Sequence, residues 1–265
     1  MASEAVLANH YSWSQLNMFM RCPRQYYNKY VLNLPQWPVY DMVSGKACHA
    51  ALEEHNKEVA RGHVGLRVKQ MLEVGIATIE QTPGIEDLDV PLPQAKDQFQ
   101  RDVTEPLCEY LVACEVQQLD SERAENETDV ERELVWEFEG HTFLGYADLV
   151  LPSRVVDYKL LGRAKSAQQI ERDGQLTLYG MHLDRPAGFV QLIRGQDRAF
   201  YTPQVQTPAI REGVLASIRS TIKSIDICKQ TGHWPMTDST NWSCSVGRCQ
   251  FWQRCFSSTA AFQKE

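Results

Sequence analysis

No apolar run in the sequence approaches the ~20 residues needed to span a bilayer, so composition excludes a helical membrane span. Met1 to Ser12 show neither a basic flank followed by an apolar run nor a small-residue cleavage site. No secretory signal is read there, and the cytoplasm is the expected compartment. Internal repeats and low-complexity tracts are absent as well, which excludes repeat architectures. Basic charge is in short supply, with 27 Lys and Arg against 34 Asp and Glu for a net charge of -7. A protein that holds phosphates usually presents a basic field. Its absence excludes little, because a site that gathers carboxylates around divalent cations is acidic in sequence and far less so with its ions bound. The chain also lacks any Cys-x2-Cys pair, the tight bite typical of structural zinc.

What is present is a chain of 265 residues with 43% hydrophobic and 23% charged residues. That is enough to bury a core without disulfides, and a single domain over 1–265 with a helical insertion is expected. Tyr11 to Val31 reads as helical, opened by Ser12 and Gln15 in capping-box spacing and interrupted at Cys22-Pro23, where proline must begin a new turn. A loop with Pro35, Trp37 and Pro38 precedes a helix read from Gly45 to Ala60, which carries His49 and His55. From about residue 60 to 125, helical stretches alternate with a Pro/Gly/Asp segment at Pro83 to Pro93, and the region reads as a helical insertion or lid.

The texture changes at Asp129. Leu134, Trp136 and Phe138 alternate with acidic residues; Gly140-His141 and Pro152-Ser153-Arg154 then turn the chain through Thr142 to Leu151 and Val155 to Leu160. This pattern predicts a three-strand meander. A helix from about Ala164 to Asp184, strands over Gly188 to Ile193 and Arg198 to Val205, and an amphipathic helix from Pro208 to about Lys229 complete the reading.

Asp157 and Lys159 are two apart on a strand, so their side chains leave one face while Tyr158 offers only its carbonyl there. The short turn at Pro152 to Arg154 can bring Asp148 beside Asp157. Two carboxylates, a carbonyl and waters suit Mg²⁺ or Mn²⁺. Such a centre serves attack of water on a phosphodiester, with Lys159 orienting or helping to deprotonate the nucleophile.

Gly145-Tyr146-Ala147-Asp148, then Val156-Asp157-Tyr158-Lys159, then Gln175-Leu176-Thr177-Leu178-Tyr179 resemble the motif series of RecB-like nucleases of the restriction-endonuclease-like PD-(D/E)xK superfamily, the CRISPR-adaptation type included. Upstream, Gly45 to His49 resembles the family's Gly-x-x-x-His helix, and Ser12 to Arg24 its opening helix, in family order over about residues 12–255. The resemblance implies an α/β fold with a mixed central sheet flanked by helices. It implies His49, Asp148, Asp157 and the Tyr158 carbonyl as metal ligands, with catalysis by Asp148, Asp157 and Lys159. Gln175 and Tyr179, one helical turn apart, would contact the DNA backbone or support Lys159. Glu131 or Glu133 would match an acidic position on the first strand, and sequence alone does not choose between them.

Cys244, Cys249 and Cys255, within 240–256, together with Cys22 supply four thiolates; nucleases of this resemblance often hold a 4Fe-4S cluster with one early and three C-terminal cysteines. Zinc is the less favoured occupant. Cys22 and Cys244 stand 222 positions apart, and a link closing that loop is worth roughly 5 kcal/mol in the chain-entropy model. The cluster therefore reads as an Fe-S staple joining the termini, shielded by Trp242, Phe251 and Trp252. Cys48, Cys108, Cys114 and Cys228 read as small buried hydrophobes.

Arg21, Arg24, Lys29, Arg163, Lys165 and Arg172 lie near the motifs and could hold phosphates, while Trp37 and Tyr40 could stack on an unpaired base or pack in the core. The expected function is a metal-dependent DNA nuclease, an exonuclease on single strands or ends by resemblance. The rival is a non-catalytic DNA-binding or recombination module that keeps the fold and the cluster.

Overall fold

The computed structural model describes residues 10–116 and 123–256. Helix α1 (Trp13–Arg21) begins where the Ser12 side chain accepts the Gln15 amide, and Pro23 opens α2 (Pro23–Tyr26), which runs into a π-turn over Tyr27–Val31. Helix α3 (Tyr40–Ala60) starts five residues before the glycine expected to open it, because Val39 is extended and the Asp89 carboxylate accepts the Tyr40 amide at 2.7 Å. Helices α4 (Val68–Glu80) and α5 (Leu92–Val116) follow.

The sheet consists of β1 (Val130–Phe138), β2 (His141–Val150), β3 (Val155–Leu161), β4 (Ala187–Ile193) and β5 (Ala199–Pro203) in that spatial order. Only the β3–β4 pairing is parallel. A parallel neighbour requires a crossover, supplied here by α6 (Ala167–Glu171) and α7 (Gly174–Leu183). These two replace the single helix expected from 164 to 184. Asp173 ends one and caps the next by accepting the Gln175 and Leu176 amides, and Gly174 must be bare because a Cβ there would lie 2.1 Å from the Trp13 ring. Helix α8 (Pro208–Thr231) and the short α9 (Trp252–Phe256) complete the described chain.

One sheet face packs on α1, α7 and α8 through Leu16, Phe19, Leu176, Phe189, Ile218 and Ile222. The other packs on α3, α4 and α5, where Phe99, Val103 and Leu107 of α5 are fully buried in the same cluster as Val156, Val190 and Leu192. Every residue of β4 is buried, as expected for a strand covered on both sides. The result is a mixed sheet flanked by helices, the arrangement the resemblance implies. No helix among the described residues is long and apolar enough to cross a membrane.

Strict alternation fails at one level of β1 and β2. Leu134, Phe143 and Ala147 face the first cluster, whereas Val130 and Leu149 face the second, although each strand's residues share parity. The switch occurs at Glu131, whose φ of 51° is left-handed and which lies between the pairs Val130↔Leu149 and Arg132↔Ala147, opposite Asp148. A left-handed non-glycine inside a strand costs on the order of 1 kcal/mol or more. Just beyond, β2 and β3 part: their ladder comprises only Leu149↔Val156 and Val150↔Val155, and Tyr11 takes the vacated edge of β2 by bonding to Thr142 and Leu144.

Candidate active site

The opening between β2 and β3 leaves the Tyr158 amide without a strand partner, and Asp148 Oδ2 accepts it at 2.5 Å. The N–H and C=O of one residue leave a strand on the same side, so the Tyr158 carbonyl also points into this opening. The Tyr158 side chain lies on the opposite face, hydrogen-bonded to Asn56 at 3.0 Å and Tyr110 at 2.9 Å. Helix α3 brings His49 over the gap, with Nδ1 3.2 Å from Asp148 Oδ1.

Glu131 closes the group. Ligand atoms of His49, Glu131 and Asp148 all lie within 4.8 Å of one another, a set found nowhere else among the described residues. The strained backbone aims Glu131 at this point, while Glu133 on the ordinary strand accepts the Tyr146 hydroxyl at 3.3 Å. The sequence left those two glutamates equivalent, since nothing in its pattern announces a left-handed residue.

Asp157 stands outside the trio and is otherwise engaged. Its Oδ1 accepts Gln175 Nε2 at 2.8 Å, and its buried Oδ2 is ion-paired with Lys159. Lys159 also reaches Gln175 Oε1 at 3.5 Å. Gln175 therefore joins acid to base as a bridge. Tyr179 is buried, and its hydroxyl accepts the Tyr146 amide at 3.1 Å and Gln175 Nε2 at 3.5 Å. A Cβ on Gly145 would lie 2.6 Å from that hydroxyl, which explains the glycine three residues before Asp148. Sequence reasoning missed Gln191: paired with Lys159 in β4 and fully buried, it accepts the Lys165 amide at 2.7 Å and so fixes the chain leaving β3.

The charges are interdependent. Burial raises Asp157 to about 6, with the Asp148 charge adding to it against the pull of Lys159. Burial would also raise Asp148, but the His49 hydrogen bond and charge hold it below the usual carboxylate range. Burial pulls His49 and Lys159 down, yet the neighbouring carboxylates hold both above their ordinary values. Glu131 reaches about 7, through burial first and Asp148 second. A centre with one imidazole and two carboxylates, Glu131 and Asp148, suits a divalent cation.

At the far end of α1, Cys22, Cys244, Cys249 and Cys255 all line one small cavity. Asn28 lines it too, 1% exposed, with neither end of its amide hydrogen-bonded. Orphaned donors of this kind fit a missing acceptor. Phe251 is buried against the cavity, but Trp242 is 69% exposed and does not shield it. Cys108 is exposed on α5, contrary to the buried role expected of it, whereas Cys48, Cys114 and Cys228 are buried. Tyr40 packs in the core with its hydroxyl donated to Asp102 at 2.7 Å, so it is no stacking surface; Trp37 stays 55% exposed. Of the basic residues, Lys165 is ion-paired with Asp173 at 3.3 Å, and Lys29 lies 5.2 Å from the Tyr30 ring.

The family model described as PD-(D/E)XK nuclease superfamily matches residues 10–256. No curated protein sequence matches the chain. Among solved structures, a candidate exonuclease from Eubacterium rectale is similar at TM-score 0.53 with 13% identity, covering 91% of this chain and 89% of that one. The protein SSO0001 aligns over 95% of this chain and 86% of its own, with 12% identity and a TM-score of 0.40.

Proposed function

Because this chain belongs to the PD-(D/E)XK nuclease superfamily, we propose that it is a RecB-like, Mg²⁺- or Mn²⁺-dependent deoxyribonuclease acting as an exonuclease on single strands or DNA ends. The observation that carries this reading is the pairing of an ion-binding trio, His49, Glu131 and Asp148, with a lysine–carboxylate pair one strand away. His49, Asp148 and Glu131 would hold the ion, and Asp157 and the Tyr158 carbonyl would join them as the resemblance implies. A divalent ion there lowers the pKa of water and offsets charge on the phosphate.

The protein's own groups do the rest. Asp148 is oriented by the Tyr158 amide and His49, so its lone pairs are aimed before any ion arrives. Lys159 stays protonated beside two carboxylates, ready to donate to the attacking water or a phosphate oxygen and to offset developing negative charge. Gln175 holds Asp157 and Lys159 in register, and Tyr179 anchors Gln175 to β2. Intact Asp148, Asp157 and Lys159 argue against a binding module that has lost catalysis.

The cysteine cavity is read as a 4Fe-4S site. The four thiols and the orphaned Asn28 amide support it. The nuclease reading is tested by incubating end-labelled single- and double-stranded DNA with Mg²⁺ or Mn²⁺ beside Asp157→Ala and Lys159→Ala. Equal degradation by all three proteins overturns it. Visible absorbance and iron content of protein purified without air test the cluster, and a colourless zinc protein overturns it.

A further inference from the structure

We propose that the groove between the start of α3 and the cysteine-bearing C-terminal segment binds an unpaired nucleic-acid strand, with Trp242 and Trp37 as base-stacking platforms. The proposal rests on the nuclease reading and assigns its substrate a second, distant contact. The groove has a volume of about 610 Å³ and is lined by Arg21, Tyr40, Asp89, Trp242, Arg248 and Gln250, among others. Trp242 in its wall is 69% exposed, and Trp37, two residues before Val39 of the wall, is 55% exposed. A large aromatic left in water in the wall of a groove offers a face to a partner.

The backbone segment carrying Trp37 is tied to the wall that carries Trp242. Gln250 in the groove wall donates to the Trp37 carbonyl at 2.6 Å, and the Arg248 guanidinium lies 5.8 Å from the Trp242 ring centre. An aromatic face with a cation at its side is what a base and its phosphate require, and stacking on it is indifferent to sequence. The acids in the wall are partly offset: Asp89 accepts the Tyr40 amide at 2.7 Å, and Asp41 lies 3.6 Å from Arg194.

Helix α3 joins the groove to the metal ligands. From Tyr40 in the groove wall to His49 is nine residues, about 14 Å of helix. Met42, Lys46 and His49 share one face by their spacing, the first two are exposed, and a Cβ on Gly45 would meet nothing within 4 Å. A strand leaving His49 along this stripe passes Lys46 over bare backbone and reaches the tryptophans. Duplex bases are already stacked on each other, so only an unpaired strand can use the indoles.

The test is the binding of end-labelled oligo(dT) and of a blunt duplex, followed by fluorescence anisotropy with Ca²⁺, to wild type, Trp242→Ala, Trp242→Phe and the Trp37→Ala/Trp242→Ala double variant. Trp242→Ala is expected to weaken oligo(dT) binding about tenfold and the double variant further, with Trp242→Phe recovering most of the loss and duplex affinity little moved. Unchanged oligo(dT) affinity in the double variant overturns the assignment, as does an equal loss for duplex. Wild-type hydrolysis of bis(p-nitrophenyl) phosphate with Mn²⁺ is measured alongside. If it is absent while the tryptophan effect holds, the nuclease reading fails and the groove stands.

Discussion

The protein has two regions able to hold metal, and they are built oppositely. The carboxylate centre sits in the sheet, and its groups satisfy one another: Asp148 takes a backbone amide and an imidazole, Asp157 takes Gln175 and Lys159. The cysteine cavity brings an early turn together with the C-terminal segment and leaves an amide orphaned inside. The first centre is held by the backbone whether or not an ion is bound; the second, if it holds the proposed cluster, depends on that occupant. Emptying them should have different consequences, activity lost in one and stability in the other.

The largest effect expected is on chemistry. Lys159→Ala should lower the rate of nucleotide release from labelled single-stranded DNA by about a thousandfold, through loss of charge stabilisation and positioning. Visible absorbance from the cysteine region should be unchanged. A matching loss of absorbance would break the separation between the two regions.

Cys249→Ser probes the other side. Losing a ligand of the staple should lower the melting temperature on the order of 10 °C, given a few kcal/mol for a loop of this length. The rate per folded molecule should stay within a fewfold of wild type. A thousandfold fall with unchanged melting would make the cavity part of the reaction.

Glu131→Gln sharpens the comparison by weakening the first region without disturbing its frame. Mn²⁺ affinity, measured by calorimetry, should fall about tenfold to a hundredfold. The pH dependence has a definite sign. Asp157 at about 6 and Glu131 at about 7 bind protons more tightly in the metal-free fold than in the unfolded chain. Their contribution to stability is therefore present below about pH 4 and is lost as pH rises through 6 to 7. The ion requires the ionised forms, so Mn²⁺ affinity should fall as pH is lowered through the same window, with protons released on binding. Affinity independent of pH from 6 to 8 would remove both carboxylates from the site.

The smallest effect concerns strain. Glu131→Gly relieves the left-handed backbone and should leave the metal-free melting temperature unchanged or slightly raised while metal affinity falls. A marked fall in melting temperature would show that Glu131 holds the strand rather than the ion.

Much of this was legible in the chain itself. Alternating apolar and acidic residues gave the meander, and the two-residue spacing of Asp157 and Lys159 put them on one face, because strand periodicity is fixed by backbone geometry. Cys244, Cys249 and Cys255 were legible as a group from their crowding, the resemblance added Cys22, and the fold brings all four to one cavity. The sequence could not show the helix break at Arg172-Asp173, where the Trp13 ring crowds Gly174 and the Asp173 cap outweighs continuous helical spacing. Nor could it separate an exposed Trp37 from a buried Tyr40, since exposure belongs to the packed molecule.

Local patterning, then, determined most of the elements and which candidate residues share a face, since periodicity, caps and turns act over a few residues. Tertiary structure alone decided between Glu131 and Glu133, parted β2 from β3 to admit Asp148, and made Gln175 and Tyr179 a bridge between helix and strands. Those outcomes depend on a single left-handed residue and on contacts between segments distant in sequence, whose energies exist only once the core has packed around them.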